Sequence, residues 1–222
     1  MSLTRGLHLY VGSKRYSSWS LRPYLALAHA AAEFECTTIL FDQPDTKAKI
    51  AKANPAAKVP VLHHDGKVIW DSLAICEYVN ELYPNAKLWP TDRDQRAKAR
   101  SVSSEMHSGF VALRRDMPMD VCSKKPGTGH TAEAIADGRR VMEIWRDQLS
   151  ASRGPFLFGT FTIADAMFAP VTTRFTTYGV ELDAVCRAYV DAVAALPAMK
   201  QWCADAAAEP DTRRENTGAV SK

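Results

Sequence analysis

The run Val59-Pro60-Val61-Leu62-His63-His64-Asp65-Gly66-Lys67-Val68-Ile69-Trp70-Asp71-Ser72 carries two short apolar stretches around a turn and ends where a helix begins. Val59 to Leu62 and Lys67 to Trp70 flank His64-Asp65-Gly66, the pattern of a β-hairpin. Pro60 cannot donate to a strand ladder, so it is expected at a sheet edge. A cis Val59-Pro60 bond is cheap at proline and would present the Val59 N–H and C=O outward. An edge of that kind can pair with an extended peptide-like ligand, although an edge proline without a ligand is the ordinary case. Asp71-Ser72 reads first as an N-cap. Its second reading is a site in which Ser72 and nearby N–H groups hold a carboxylate while Asp71 pairs with an ammonium.

Upstream of the hairpin, Leu7 to Val11 is a predicted strand, Ser18 to Ala32 an alanine- and leucine-rich helix, and Cys36 to Phe41 a second strand. A polar, lysine-bearing segment from Asp42 to Asn54 follows. Downstream, Leu73, Ile75, Cys76, Val79 and Leu82 mark the buried face of a helix that Pro84 stops. The first module is therefore βαβ followed by ββα, over residues 1–85. From Asp92 strand signals vanish, and helical spacing runs over 94–116, 131–149, 163–178, 181–195 and 197–208. This predicts an all-α domain over 92–209, reached through a link at 85–91. The tail, 210–222, is polar and is expected to be poorly ordered.

Composition excludes several classes. Hydrophobic residues make up 46% of the 222 and charged residues 24%, as in ordinary globular domains, and a formal net charge of +3 with dispersed basic residues does not suggest nucleic acid. No apolar run approaches the roughly 18 residues that would span a bilayer. Arg5, His8, Lys14 and Arg15 stand where a signal peptide would need an apolar core, so no membrane partner and a cytoplasmic location are expected. The five cysteines, at 36, 76, 122, 186 and 203, form no Cys-x-x-Cys pair, and the histidines show no ligand spacing, so no metal is indicated.

Between the first strand and helix lies Tyr16-Ser17-Ser18-Trp19-Ser20-Leu21-Arg22. Serines at a helix start are usually caps. The same helix end concentrates N–H donors and positive potential, which can hold a phosphate, carboxylate or thiolate.

Taken in order, a polar helix start, a Val-Pro before the third strand and an acid-Ser pair before the next helix resemble the thioredoxin-like domain of glutathione transferases. Gly159-Thr160-Phe161-Thr162-Ile163-Ala164-Asp165 resembles that family's C-terminal signature, with Thr162 and Asp165 as a structural capping box. The resemblance covers roughly 7–205. Ser17-Ser18-x-Ser20-x-Arg22 is most similar to the zeta class, whose motif is Ser-Ser-Cys-Ser, with Trp19 here in the cysteine's place. That departure, and Met106 to Phe110, set the chain apart as a related bacterial branch.

The resemblance implies a cytoplasmic, detoxifying homodimer that uses glutathione as co-substrate. It places the catalytic hydroxyl at Ser17, with Ser18 as second candidate, Val59 and Pro60 beside the cysteinyl part, Asp71 and Ser72 on the γ-glutamyl group, and Lys58 near the glycine carboxylate. Serine is too weakly acidic to act as a base, so its role is to donate a hydrogen bond to the sulfur anion, the form that attacks electrophiles. Met106, His107, Phe110, Arg114 and Met117 recur at helical spacing and, with Trp19, are candidates for the electrophile site; His107 and Arg114 there would favour an anionic or carbonyl-bearing substrate. The alternatives are a zeta-like isomerase of the maleylacetoacetate type and a non-catalytic binding protein resembling the stringent starvation proteins.

Overall fold

The computed structural model describes residues 6–211. Strand β1 (Leu7–Gly12) leads through helix α1 (Ser18–His29) to β2 (Phe34–Ile39), then α2 (Thr46–Ala53), the hairpin β3 (Val61–His64) and β4 (Lys67–Ile69), and α3 (Ser72–Leu82). A 3₁₀ turn at Pro84–Ala86 precedes α4 (Arg93–Ser108), α5 (Val111–Asp116), α6 (Ala132–Ala151), α7 (Ile163–Tyr178), α8 (Ala184–Ala195) and α9 (Pro197–Ala208). The sheet order is β2-β1-β3-β4, with β1 parallel to β2 and antiparallel to β3. The architecture is thus a thioredoxin-like βαβ-ββα unit followed by helices.

Helices α1 and α7 explain how one core serves both halves. Each is apolar around most of its circumference, the mark of a helix packed on several sides, and each is buried along most of its length. They pack against each other, and α1 also packs against α3 and β1. Leu9 and Leu62 from the sheet, Leu21 and Leu25 from α1, and Phe168 and Phe175 from α7 belong to one continuous cluster. The Thr162–Asp165 box starts α7 as anticipated: the Asp165 carboxylate accepts from Thr162 N (2.8 Å) and Oγ1 (3.0 Å), from Leu157 N (3.0 Å) and from Tyr189 Oη (3.2 Å). Burial still pushes its carboxyl up, to about 6, against those four donors.

Several sequence expectations are corrected. The segment 42–54 contains the polar helix α2, whose single buried residue, Ala53, joins Ile39 and Val61 in a small second cluster. Helix α1 stops at His29 rather than Ala32, because Ala31 has a left-handed backbone, with φ of 50°. The single helix anticipated over 94–116 is two. Gly109 lies where a Cβ would approach Glu105 O to 2.8 Å, and Phe110 follows with φ of 58°. Pro60 does not sit on an edge strand: β3 is interior and begins at Val61, so the proline lies just outside the ladder and removes no sheet hydrogen bond. The tail expectation falls largely on residues 212–222, outside the described residues; Asp211, at the tail's start, pairs with Arg15 (2.7 Å).

Candidate active site

Two helix starts and one loop build a cleft of about 550 Å³. Trp19 comes from the first turn of α1, Lys58, Val59 and Pro60 from the loop before β3, Asp71 and Ser72 from the start of α3, and His107 from the end of α4. The Val59-Pro60 peptide is cis. Among the described residues no hydrogen bond engages the Val59 backbone N–H or C=O, so both are available to an extended ligand. The loop is held by Asn54, buried, which donates from Nδ2 to Lys58 O (2.6 Å) and accepts from Ala56 N (2.9 Å).

Asp71 divides its oxygens. Oδ1 caps α3 by accepting from Leu73 N (3.1 Å) and Ala74 N (3.4 Å), while Oδ2 lies 3.0 Å from His107 Nε2. Burial lowers the His107 pKa, Asp71 opposes that, Arg22 and Arg114 add to it, and the net direction is down. Ser72 is buried, yet among the described residues its Oγ has no hydrogen-bond partner. A buried hydroxyl without a partner is uncommon and points to a group that arrives with ligand.

Ser17 and Ser18 are not among the residues that line this cleft, although the neighbouring Trp19 is; Ser17 is the N-cap residue of α1, without a side-chain cap bond, and the first turn carries no acidic residue to offset the positive helix end. Its hydroxyl is buried and donates to Ser20 Oγ (2.7 Å), which also accepts from Gly12 N (3.1 Å). Ser18 is half-buried at the first helical position. Beneath Trp19 lies Arg22, fully buried; its guanidinium carbon is 4.3 Å from the indole centroid, and that of Arg114 is 4.8 Å from the same ring.

The loop before Ser17 is clamped by the C-terminal helices. Lys14 Nζ donates to Asp205 (2.5 Å), Lys14 N to Glu209 (2.8 Å), and Trp202 Nε1 to Lys14 O (2.8 Å). Arg15 pairs with Asp120 (2.8 Å), whose carboxyl burial would raise but hydrogen bonds from Arg15, Ser123 and Lys125 bring down to about 2.

Both halves of the chain match family models: residues 16–82 fit the glutathione S-transferase N-terminal domain and residues 128–205 the C-terminal domain. The chain belongs to the glutathione S-transferase family. It is a glutathione-dependent enzyme with glutathione as co-substrate. A probable maleylacetoacetate isomerase from Caenorhabditis elegans is 33% identical over 78% of this chain and 81% of its own length. The maleylacetoacetate isomerase of Rattus norvegicus is 28% identical over 78% and 80%. Among solved structures, a glutathione transferase homologue from Burkholderia gl BGR1 with bound glutathione superposes with a TM-score of 0.72 at 25% identity, covering 91% of this chain and 99% of that one. A zeta-class bacterial maleyl pyruvate isomerase has the same fold, with a TM-score of 0.71 at 24% identity, covering 93% and 100%.

Set against the transferase expectation, the structure gathers Trp19, Lys58, Val59, Pro60, Asp71, Ser72 and His107 around one cleft. It puts Met106 and Phe110 in the hydrophobic core instead: Met106 continues the buried face of α4 formed by Ala99, Val102 and Ser103, and Phe110 follows the break at Gly109. Met117 is likewise core. Arg114 reaches the region from behind, donating to the Met106 and His107 carbonyls and lying over Trp19. Sequence reasoning missed Asn54, Trp70 and Arg22. An Asn-Pro turn was the available signal for the first, while an arginine inside an apolar helix was the signal for the last. Among the described residues no cluster of three or more His, Cys, Asp or Glu side chains could hold a metal, and no helix is long and apolar enough to cross a membrane.

Proposed function

We propose that this transferase activates glutathione through Ser17 and directs the thiolate onto a small electrophile lodged against Trp19 and His107. Val59 would pair its backbone with the cysteinyl part of glutathione, Ser72 Oγ would bond the γ-glutamyl carboxylate, and Asp71 Oδ2 would share itself between His107 and the γ-glutamyl amine. Lys58 would answer the glycine carboxylate. The observation that carries this reading is the unpartnered, buried Ser72 hydroxyl in the same cleft as the unpaired Val59 backbone.

For the chemistry, Ser17 need only turn its proton from Ser20 to the sulfur, since Ser20 Oγ keeps the bond from Gly12 N. A free thiol, of pKa ~8.5, is mostly protonated at neutral pH, and lowering it by two units needs about 2.7 kcal/mol of preferential thiolate stabilisation. One charge-assisted hydrogen bond, a helix start with no acid in its first turn and the buried Arg22 nearby supply charge of the right sign. Ser18 is the second candidate donor.

A second reading, glutathione-dependent cis-trans isomerisation, is favoured by the names of the relatives, with the electrophile a dicarboxylic enol or ketone. Conjugation and isomerisation part in one assay: glutathione consumption followed alongside substrate absorbance. Conjugation removes one thiol per turnover; isomerisation changes absorbance with thiol constant. Absence of both across neutral and acidic electrophiles would overturn the enzymatic reading. The working unit in this proposal is a cytoplasmic, detoxifying homodimer of two-part subunits, residues 1–85 and 92–209; the exposed Val68 and Trp70, at the edge strand β4, offer an apolar rim for a second copy.

A further inference from the structure

Arg22 is 1% exposed, and among the described residues neither its Nε nor its Nη1 meets an acceptor. Among the described residues no carboxylate pairs with it. Arg174, 4% exposed, also has an Nε without a partner, and Arg114 spends Nη2 on two main-chain carbonyls. The three guanidiniums are near enough for their like charges to act on one another, with Asp71 and Asp137 the carboxylates that partly offset them. Guanidinium forks buried in proteins ordinarily meet a carboxylate or phosphate in planar, two-bond geometry. Here the face of Trp19 stands in that place for both Arg22 and Arg114. A ring face returns only a fraction of the hydration that a buried cation gives up.

Trp19 is also a wall of the cleft, while Arg22 is not. Trp19 and Arg22 are three residues apart on α1, hence on one helix face, so a rotation of the indole about its own side-chain bonds would uncover the guanidinium without moving the backbone. His107 meets the ring edge-on at 5.1 Å and closes the remaining side.

We propose that Trp19 is a displaceable cover over a carboxylate seat formed by Arg22 and Arg114, and that this seat takes the acidic end of the electrophile. The inference rests on the transferase reading above and deepens it. With the indole down, the cleft offers an aromatic wall; with it displaced, two planar forks would face the ligand. Because a carboxylate binds only the uncovered form, its apparent affinity in the native protein is reduced by the fraction of time the cover is open.

Two carboxylate sources compete for this assignment, the electrophile and glutathione itself, and the test separates them. The full chain is first titrated calorimetrically with glutathione, which reports on the transferase reading independently. The glutathione-saturated protein is then titrated with succinate and with dimethyl succinate, as wild type and as Trp19→Ala. The expected result is succinate binding about tenfold tighter in Trp19→Ala, as removal of a mostly closed cover requires, no such gain for the ester, and loss of the gain in Trp19→Ala/Arg114→Met. An equal gain for the ester would mean only an enlarged hole and would overturn the proposal. So would no gain, a gain that survives loss of Arg114, or succinate that binds only when glutathione is absent. If Trp19→Ala does not fold, 5-fluorotryptophan in the wild type gives a second readout, with the Trp19 resonance identified by its absence in Trp19→Phe. Succinate should shift that resonance, and a resonance unmoved at high succinate refutes the cover.

Discussion

Ser72→Ala removes a hydroxyl that has no hydrogen-bond partner among the described residues, so its effects on stability and on glutathione binding should separate. Ser72 is 1% exposed and its Oγ meets no acceptor or donor. A buried polar group left unsatisfied is worth about 1–3 kcal/mol against the folded state. Alanine deletes that group, leaves the Asp71 cap of α3 intact and opens space for little more than one oxygen. The variant should therefore unfold at the wild-type temperature or up to about 12 °C above it, a chain of this size moving roughly 2–4 °C per kcal/mol. With glutathione bound, the same hydroxyl is assigned to a carboxylate, and hydrogen bonds to charged groups contribute about 1.5–3 kcal/mol. Kd for glutathione should then rise about 10- to 150-fold. Calorimetric titration and thermal unfolding on one preparation check both numbers. A lower melting temperature with an unchanged Kd would refute the reasoning, because it would make Ser72 a structural residue.

Other consequences follow from the clamp and the box. Asp165→Ala strands four donors around a fully buried position and should cost about 3–5 kcal/mol in denaturant unfolding, whereas Asp165→Asn keeps an acceptor oxygen and should cost less than half of that; equal losses would contradict the hydrogen-bond account. Asp120, held at about 2 in the folded protein, binds its proton more weakly there than in the unfolded chain. Its stabilisation is therefore complete above the ordinary carboxylate pKa and is lost as pH falls toward 2, so Asp120→Asn should flatten that part of an acid-unfolding curve. Asp205→Asn leaves the Lys14 ammonium, 8% exposed, without its carboxylate and should cost about 2–3 kcal/mol.

Much of the fold was legible in the hairpin and its flanks, because a Gly turn between β-branched residues and an acid-Ser pair before a helix are local signals. The Thr162–Asp165 box was legible for the same reason, its hydrogen bonds spanning three residues. Helix α2 was not, since Thr46–Ala53 buries a single alanine and so carries almost no apolar stripe. The split of α4 from α5 hinged on Gly109, and the close approach that singles it out depends on a carbonyl four residues earlier. Lys58, Val59, Pro60, Asp71 and Ser72 line one cleft, as their order in the sequence suggested, while Asn54 and Trp70 beside them were missed and the helical-domain side was only half legible. His107 faces the cleft, but Met106 and Phe110 are turned into the core, and a helical stripe cannot tell which side of it the second domain will cover. Arg22 could be noticed in sequence as a charge in an apolar helix, yet that it lacks a carboxylate is a property of three distant segments brought together.

The central claim is that Ser17 holds the glutathione sulfur as thiolate. Its most direct test is a thiolate absorbance titration of glutathione bound to the wild type, Ser17→Ala and Ser18→Ala. The account predicts a thiol pKa well below ~8.5 in the wild type and in Ser18→Ala, returning by about two units toward the solution value in Ser17→Ala. A bound thiol that titrates normally in the wild type, or one still depressed when Ser17 is alanine, would contradict it.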